Sequence, residues 1–199
     1  YVGPKACDLR LIAPGIKYNR GAGIRMAMDI GAGTAGQFDG MHAEAVDSRT
    51  DRADAVIYGC PYGILVNAEG QRFFDEGRDT MDATFELIGY EIWRNQNQAA
   101  FFIGDRHVHD HPHLLSLFDT DQPAIEADTI EELALQLGIE PDALVATIDA
   151  YNGAVQPGEF DPSQLDGKCT VGIEPPKSNW AYPLDRAPFF AYPLTTAIT

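Results

Sequence analysis

The segment 55–74 constrains the fold most, because it combines two apolar runs with a turn sequence. The runs at 55–59 and 63–67 have the composition of buried strands. The turn at 67–70, Asn-Ala-Glu-Gly, then leads into Gln-Arg-Phe-Phe at 71–74. Two extended runs joined by a tight turn predict a β-hairpin.

A helix and a further strand are predicted directly after the hairpin. Asp79 or Thr80 can cap a helix that runs to about Gln96, because apolar residues then recur at helical spacing. The apolar positions of this helix are Met81, Phe85, Ile88 and Ile92. Residues 99–103 form an apolar run that predicts another buried strand.

The second half of the chain predicts a helix pair followed by a long loop. Thr129 begins a capping box, and Pro141 is typical of the first turn of a second helix within 129–155. The Pro- and Gly-rich stretch 156–188 predicts an ordered surface loop, and 189–199 a final extended run. Hairpins and helices are segregated, without strict strand–helix alternation. We therefore predict an α+β fold with a hairpin-containing sheet packed with helices.

The first part of the chain predicts an irregular lead-in and one short helix. Residues 1–20 are rich in turn formers, and Gly21 and Gly23 precede the helical stretch 24–30. A glycine-rich helix start leaves backbone N–H groups that can bind an anionic group. A plain turn and helix cap is the other interpretation, because Gly-Ala-Gly is too short for a dinucleotide-binding fingerprint.

Charge and composition exclude several classes of function. The 199 residues include 14 Lys+Arg and 30 Asp+Glu, a net charge of −16, so nucleic acid is not an expected partner. No run approaches the roughly 20 apolar residues of a membrane span. Cys7, Cys60 and Cys169 are far apart, which supports neither a zinc knuckle nor a redox dithiol. Scattered thiols favour a reducing, cytoplasmic location.

Four of the five histidines lie within 107–113, His-Val-His-Asp-His-Pro-His. On a strand, alternate histidines would share one face and could bind a transition metal. The spacing differs from the HxHxDH motif of metallo-hydrolases, since Asp110 follows His109 directly, and Pro112 interrupts a regular strand. We expect a polar loop without a functional metal site. A metal-binding or interaction module is the alternative from another functional class.

Two other groups of side chains could carry chemistry. His42 is a lone histidine, and its local sequence favours a structural role. The charged residues at 72–79 form either a solvated surface or a clamp in which an arginine at a helix start binds a carboxylate or donates a proton. The residue types alone leave both interpretations open.

Five segments, taken in order, resemble the flavoprotein family of fumarate reductases and succinate dehydrogenases, especially its tricarballylate dehydrogenase-like branch. Residues 23–33 resemble the family's GDGIRMALDAGA element, and 36–43 its GxWSGCHA element. Residues 62–76 are close to YGIMVNxxGxRFxDE, the most specific match. Residues 129–152 resemble TLEELAxxLGIxxxxLxxTIxxYN, and 192–195 match the approach to the second catalytic segment.

In this family a substrate-capping domain is inserted into a split FAD-binding domain. The resemblance implies that 46–190 is the capping domain, while 1–45 and 191–199 are flanks that lead to the FAD-binding domain. The ends of the chain, at Tyr1 and Thr199, agree with an excised piece. We therefore expect a fragment of an FAD-dependent oxidoreductase that acts on CH–CH bonds of a small di- or tricarboxylic acid. The fragment alone is expected to bind no FAD and to be inactive.

The resemblance also implies site residues. His42 matches the family histidine that holds a substrate carboxylate. Arg78 is the nearest candidate for the proton-donor arginine that follows the hairpin, and it would also bind substrate. The aligned family position itself falls at Met81 or Thr80.

The glycines Gly21 and Gly23 lie in the matched glycine-rich element and are the expected cofactor contacts. Val56 and Gly59 stand where fumarate reductases carry the Glu and Arg of their proton relay. A cap of a 3-ketosteroid dehydrogenase-like flavoenzyme, with an apolar pocket, is therefore the alternative within the superfamily. The expected partners are the FAD-binding domain of the same parent chain, a small carboxylic acid and, through the exposed interface, a second copy.

Overall fold

The computed structural model describes residues 9–37, 40–52 and 54–198. Cys7, Phe38 and Asp39, which belong to patterns noted above, lie outside these ranges. Within the described residues the strands are β1 (Arg10–Leu11), β2 (Ala43–Asp47), β3 (Ile64–Asn67), β4 (Ala100–Gly104), β5 (Ile125–Ala127) and β6 (Phe189–Ile198). The helices are α1 (Ala22–Asp29), α2 (Met81–Asn95), α3 (Arg106–His109), α4 (Pro112–Leu115), α5 (Ile130–Leu137) and α6 (Pro141–Ala154).

Strand β6 is the centre of a six-stranded sheet. In its first half, Ala191 pairs with β4 on one side and with β5 on the other. In its second half, Ala197 pairs with β1 and with β2. β3 extends the sheet beyond β4, and every pairing except that of β1 with β6 is antiparallel. The long extended run predicted at the end of the chain therefore organises the whole sheet.

Helix α2 packs on β2 and β6 at unusually close range. The close approach depends on Gly89, where a Cβ atom would lie 2.6 Å from the backbone nitrogen of Glu44. The carbonyl of Gly89 accepts a hydrogen bond of 2.8 Å from the Thr196 hydroxyl of β6. Ile88 and Ile92 of the same helix are buried in the core. These contacts fix α2 relative to the start of β2.

Aromatic rings and the helix pair α5–α6 fill the remainder of the core. Phe102, Phe118 and Phe190 pack with ring centroids 4.9 to 5.9 Å apart, in the tilted and edge-on geometries that aromatic pairs prefer. The Thr129 side chain accepts a hydrogen bond from the backbone N–H of Glu132, which confirms the predicted helix cap.

The α+β prediction is confirmed, and so are the helices and strands expected at 81–96, 99–103 and 129–155. The predicted hairpin is only partly correct. Its turn forms, with Gly70 at a φ of +75° and its N–H bound to the carbonyl of Asn67, but the second strand is reduced to one bridge between Val66 and Arg72. The second strand fails because the chain turns inward after Arg72 and buries that side chain.

The first helix, α1, forms as predicted but buries none of its residues. Ile24, Met26 and Ile30 at or beside this helix expose 58%, 64% and 88% of their surface. The expected domain boundaries at 45/46 and 190/191 both fall inside paired strands, β2 and β6. In the part of the chain described, no helix has the length and apolar character needed to cross a bilayer.

Candidate functional site

A cleft of about 550 Å³ opens between α2 and the residues that precede β2. Its described lining residues are Gln37, Gly40, Met41, His42, Glu86, Leu87, Tyr90 and Arg94. His42 stands at the entrance to β2 and exposes 43% of its side chain. At the other end of the cleft, Arg94 Nη1 donates a hydrogen bond of 3.0 Å to the Tyr90 hydroxyl. The cleft thus combines an imidazole with a guanidinium, both able to meet an anion.

Phe85 of α2 holds the His42 ring in place. The two ring centroids lie 5.3 Å apart in an edge-on contact, and the Tyr58 ring meets Phe85 at 5.8 Å in the same geometry. Met81 lies one helical turn before Phe85 and lines the apolar space between Tyr58 and α2. The close packing at Gly89 therefore positions Phe85, and Phe85 in turn orients His42.

Glu44 lies behind His42 and is buried. Its Oε1 atom is 3.7 Å from His42 Nδ1, while its Oε2 atom has no hydrogen-bond partner among the described residues. Burial raises the pKa of the Glu44 carboxyl above its ordinary value, and the charge of His42 opposes that shift. Burial, with the carboxylates of Glu44 and Asp119, also raises the pKa of Tyr58. The electrostatic character of this corner is therefore set mainly by one buried carboxylate.

Arg78 lies apart from the cleft residues named above. It is exposed in the turn before α2, and its backbone N–H donates to the carbonyl of Asp75 at 3.3 Å. Thr80 is the N-cap of α2, so the two aligned family positions, Thr80 and Met81, lie at the start of that helix. Arg78 thus precedes Met81 by three residues, whereas His42 contacts Phe85, one helical turn after Met81.

Arg72 and Glu76 form neither the solvated surface nor the substrate clamp that the sequence left open. Arg72 Nη2 and Glu76 Oε2 pair at 2.6 Å with both side chains buried, and Arg72 also lies over the Tyr151 ring. Glu76 Oε1 accepts from the Leu65 backbone N–H at 2.7 Å. Lys177, fully buried, lies 3.8 Å from Glu76. Burial lowers the pKa of Lys177 to about 8, against the opposing charge of Glu76. This cluster is structural, since it joins the hairpin turn to the loop at 175–180.

Gly21 and Gly23 lie at the exposed start of α1. Gly21 is the N-cap residue and adopts a left-handed φ of 70°, a conformation that favours glycine. Among the described residues, no atom lies within 4 Å of a Cβ built at either glycine. Both glycines thus face open space among the described residues, and their expected contact with a cofactor stays a prediction.

The histidine run does not form the predicted loop; it forms α3 and α4, each a single helical turn. Asp105 explains the difference, because its carboxylate caps α3 by accepting from the backbone N–H of His107 at 2.9 Å. The rings of His107, His109 and His111 then contact three different aromatic residues. Alternate histidines therefore do not share one face.

A possible metal-ligand group remains at the edge of this run. Ligand atoms of Asp105, His107 and Asp185 lie within 4.8 Å of one another. Within the described ranges, this is the group of three whose spacing could hold a metal ion. Both carboxylate oxygens of Asp105 already accept hydrogen bonds, from His107 on one side and from the backbone of Asp185 and Arg186 on the other. Its geometry is accounted for by helix capping.

The sequence pattern does not indicate that Glu44 and Phe85 contact His42, or that Tyr58 packs on Phe85. Helical spacing places Phe85 among the apolar positions of its helix, and the apolar run at 55–59 places Tyr58 in a strand. Glu44 left one signal: a charged residue within the otherwise small and apolar segment Ala43-Glu44-Ala45-Val46. A carboxylate inside a fully buried strand carries a desolvation cost, and such costs mark places where function can override packing.

Comparison with known proteins shows partial matches to oxidoreductases. The chain is 29% identical over 193 residues to 4-oxocyclohexanecarboxylate 2-dehydrogenase of Sinomonas cyclohexanicum, covering 87% of this chain and 33% of that protein. It is also 29% identical over 136 residues to NADH:fumarate oxidoreductase of Klebsiella pneumoniae, covering 68% of this chain and 14% of that protein. No protein-family model matches the chain.

The fold is shared with solved oxidoreductases. The structure of 3-ketosteroid-Δ4-(5α)-dehydrogenase from Rhodococcus jostii matches with a TM-score of 0.61 and 27% identity, over 98% of this chain and 35% of that protein. The chain thus spans about a third of the length of the first relative and of this structure. The resemblance to fumarate reductase-type flavoproteins predicted from the five segments is confirmed by these matches.

Proposed function

We propose that this chain, a homologue of the fumarate reductase-type flavoproteins, is the substrate-capping part of an FAD-dependent oxidoreductase that acts on CH–CH bonds of a small carboxylic acid. The observation that carries the proposal is the cleft in which His42 stands at the start of β2, held against α2 by Phe85. An imidazole with a partly exposed ring can donate a hydrogen bond to a substrate carboxylate. The two sequence relatives are named as a fumarate oxidoreductase and as a dehydrogenase of a ring carboxylate, and both names support the same substrate class.

Arg78 is the second residue of this proposal. It would donate a proton to, or bind a carboxylate of, the substrate, because it lies in the exposed turn just before α2. A closer relation to tricarballylate dehydrogenases would make the substrate a di- or tricarboxylic acid.

The exposed apolar residues of α1 support a partner domain within the same parent chain. A helix that presents Ile24 and Met26 to solvent leaves apolar surface that normally lies against another surface. The flanks 1–45 and 191–199 would connect to that domain, and β2 and β6 pair side by side where they do so. A second copy of the chain could cover the same surface.

The FAD-binding part would place its cofactor near Gly21 and Gly23. The open space at both glycines and the free N–H groups of α1 fit a phosphate-bearing cofactor. When bound, the flavin supplies hydride acceptance or donation. The residues of this chain bind and orient the carboxylate and exclude water from it.

A ketosteroid dehydrogenase-like activity is the second candidate. It is favoured by the structural match to the Rhodococcus enzyme and by the ring of Phe85, which contacts His42. Tyr58 and Met81 line an apolar space with Phe85. An apolar cyclic ketone would need contact with these rings and no carboxylate clamp. The two candidates share a fold and differ in whether an anion is bound.

The experiment uses the full-length protein that contains this chain. Purified protein is tested for bound flavin, then for turnover of succinate, tricarballylate, 4-oxocyclohexanecarboxylate and 4-androstene-3,17-dione with an artificial electron acceptor. We expect turnover of at least one carboxylate. His42→Ala should raise its KM at least tenfold, about 1.4 kcal/mol, and Arg78→Ala should lower kcat.

The matched controls are His113→Ala and Arg106→Ala, both exposed and on the separate helices α3 and α4. These variants should leave KM and kcat unchanged. Turnover of the steroid alone would favour the second candidate. Protein without flavin, or unchanged kinetics in both site variants, would contradict the proposed function.

A further inference from the structure

Glu44 occupies a position that is unfavourable for a carboxylate. Every residue of β2 is buried, and Glu44 exposes only 5% of its surface, opposite Ala197 of β6. One oxygen, Oε2, has no hydrogen-bond partner in the described ranges. A buried carboxylate with an unpartnered oxygen reduces stability, so an apolar or amide side chain would suit the strand better. A residue kept at such a cost calls for a role other than packing.

The group that Glu44 faces is His42. The closest atoms are Oε1 and Nδ1 at 3.7 Å, and both residues belong to the same short run into β2. The other titratable groups around the pair are Tyr58, packed on Phe85, and Asp119, whose charge reaches Tyr58. Glu86, Tyr90 and Arg94 of α2 also line the cleft. Of the two basic groups, His42 lies within 4 Å of the Glu44 carboxylate, while Arg94 donates a hydrogen bond to Tyr90. His42 is therefore the partner that the geometry gives to Glu44.

We infer that Glu44 is a positioning residue for His42: its carboxylate accepts the Nδ1–H of the doubly protonated ring, so that the Nε2–H is directed into the cleft toward a substrate carboxylate. This inference rests on the proposed function. Both ring nitrogens donate only in the imidazolium form, which a neighbouring carboxylate favours, and a carboxylate on Nδ1 is a common way to orient a histidine ring. The 3.7 Å separation would shorten on substrate binding, as such contacts do in apo sites.

The arrangement also explains why the carboxylate is buried. An exposed glutamate would rotate freely and exchange its partner for water, whereas Glu44 is enclosed by β2, β6 and α2 and, among the described residues, has His42 as its charged partner within 4 Å. The imidazolium and the carboxylate together are neutral, so the pair avoids a net buried charge while it offers one N–H to an anion. Phe85 fixes the tilt of the ring, and Glu44 fixes its protonation.

The first test is independent of activity. Long-range ¹H–¹⁵N spectra of the 199-residue chain, with the His42 ring assigned by His42→Gln, report which nitrogen carries a proton. We expect protons on both Nδ1 and Nε2 in the wild type and loss of that doubly protonated state in Glu44→Gln. The exposed-charge control Glu69→Gln should match the wild type. An unprotonated Nδ1 or Nε2 in the wild-type spectrum would overturn the inference even if Glu44→Gln failed to fold.

The second test separates this inference from the proposed function. In the full-length enzyme, Glu44→Gln should raise the KM for the carboxylate substrate about tenfold, with a smaller change in kcat, and Glu44→Asp should retain part of the affinity. If His42→Ala raises KM while Glu44→Gln does not, the positioning role is wrong and the proposed function stands. If neither variant changes KM, the carboxylate site itself is wrong.

Discussion

Glu76 and Glu44 are both buried glutamates with a basic neighbour, yet their surroundings differ. Glu76 accepts hydrogen bonds from Arg72 and from the backbone of Leu65, with Lys177 close by, and all its oxygens are satisfied. Among the described residues, Glu44 pairs with the partly exposed His42, and one of its oxygens has no hydrogen-bond partner. The first carboxylate is bound on every side by the protein. The Glu44 carboxylate has a partner at one oxygen and none at the other among the described residues. This arrangement is expected where a ligand completes the hydrogen-bonding partners of a site.

The largest expected effect comes from removing the charge of Glu76. Glu76→Gln leaves Arg72 and Lys177 buried without their carboxylate, and breaking such a pair costs about 3–5 kcal/mol of unfolding free energy. Urea denaturation followed by circular dichroism measures this. The control Glu69→Gln, at the exposed turn, should change the free energy by less than about 0.5 kcal/mol. A loss below about 1 kcal/mol for Glu76→Gln would show that the network is not a stabilising one.

The next effect concerns the surroundings of Glu44, through the packing of helix α2 on β2. Gly89→Ala places a Cβ 2.6 Å from the Glu44 backbone nitrogen, so α2 must move away from β2. Overpacking of this kind costs about 1–3 kcal/mol.

The matched control for that change is Gly153→Ala in α6, where no atom lies within 4 Å of the added Cβ. It should leave stability unchanged or raise it by about 0.5–1 kcal/mol, because alanine favours a helix. Thermal unfolding of both variants provides the comparison. Equal behaviour of the two would mean that the contact of α2 with β2 is not tight.

The smallest effect should have the opposite sign to that of Glu76→Gln. The pKa of Glu44 is raised in the folded state, so ionising this carboxyl reduces the stability of the fold. The destabilisation is absent at low pH and develops as pH rises through the pKa of the unfolded state and then that of the folded state. Glu44→Gln removes that cost and should stabilise the protein at pH 7 by less than about 1 kcal/mol. The gain should vanish near pH 4. Chemical denaturation at both pH values measures it, and destabilisation at pH 7 would contradict the comparison.

The sequence predicted the elements better than it predicted their contacts. Helical spacing located α2, and the capping residue Thr129 located α5, because these signals are local. The hairpin failed beyond its turn because Arg72 is drawn inward by Glu76, four residues further on, and by the loop at 175–180, which lies about 100 residues away along the chain. A charged residue therefore replaced the second strand with a buried ion pair.

The site followed the same division. His42 is a candidate through the resemblance of its segment, whereas its local chemistry favours a structural role. Glu44, Phe85 and, through Phe85, Tyr58 meet around it only when α2 lies across β2, and that close packing depends on the absence of a side chain at Gly89. No spacing rule contains this information, because the contact joins residues from three separate segments.

The pairing of β1 with β6 has a topological consequence. Arg10 and Ala197 are neighbours in the sheet, so the two end regions of the described chain run side by side and in parallel. A linker could join them, and the backbone could be reopened in the exposed stretch 157–159 without removing a strand pair. The order in which the segments are connected could then be permuted while the sheet, and the corner that holds His42, stayed the same.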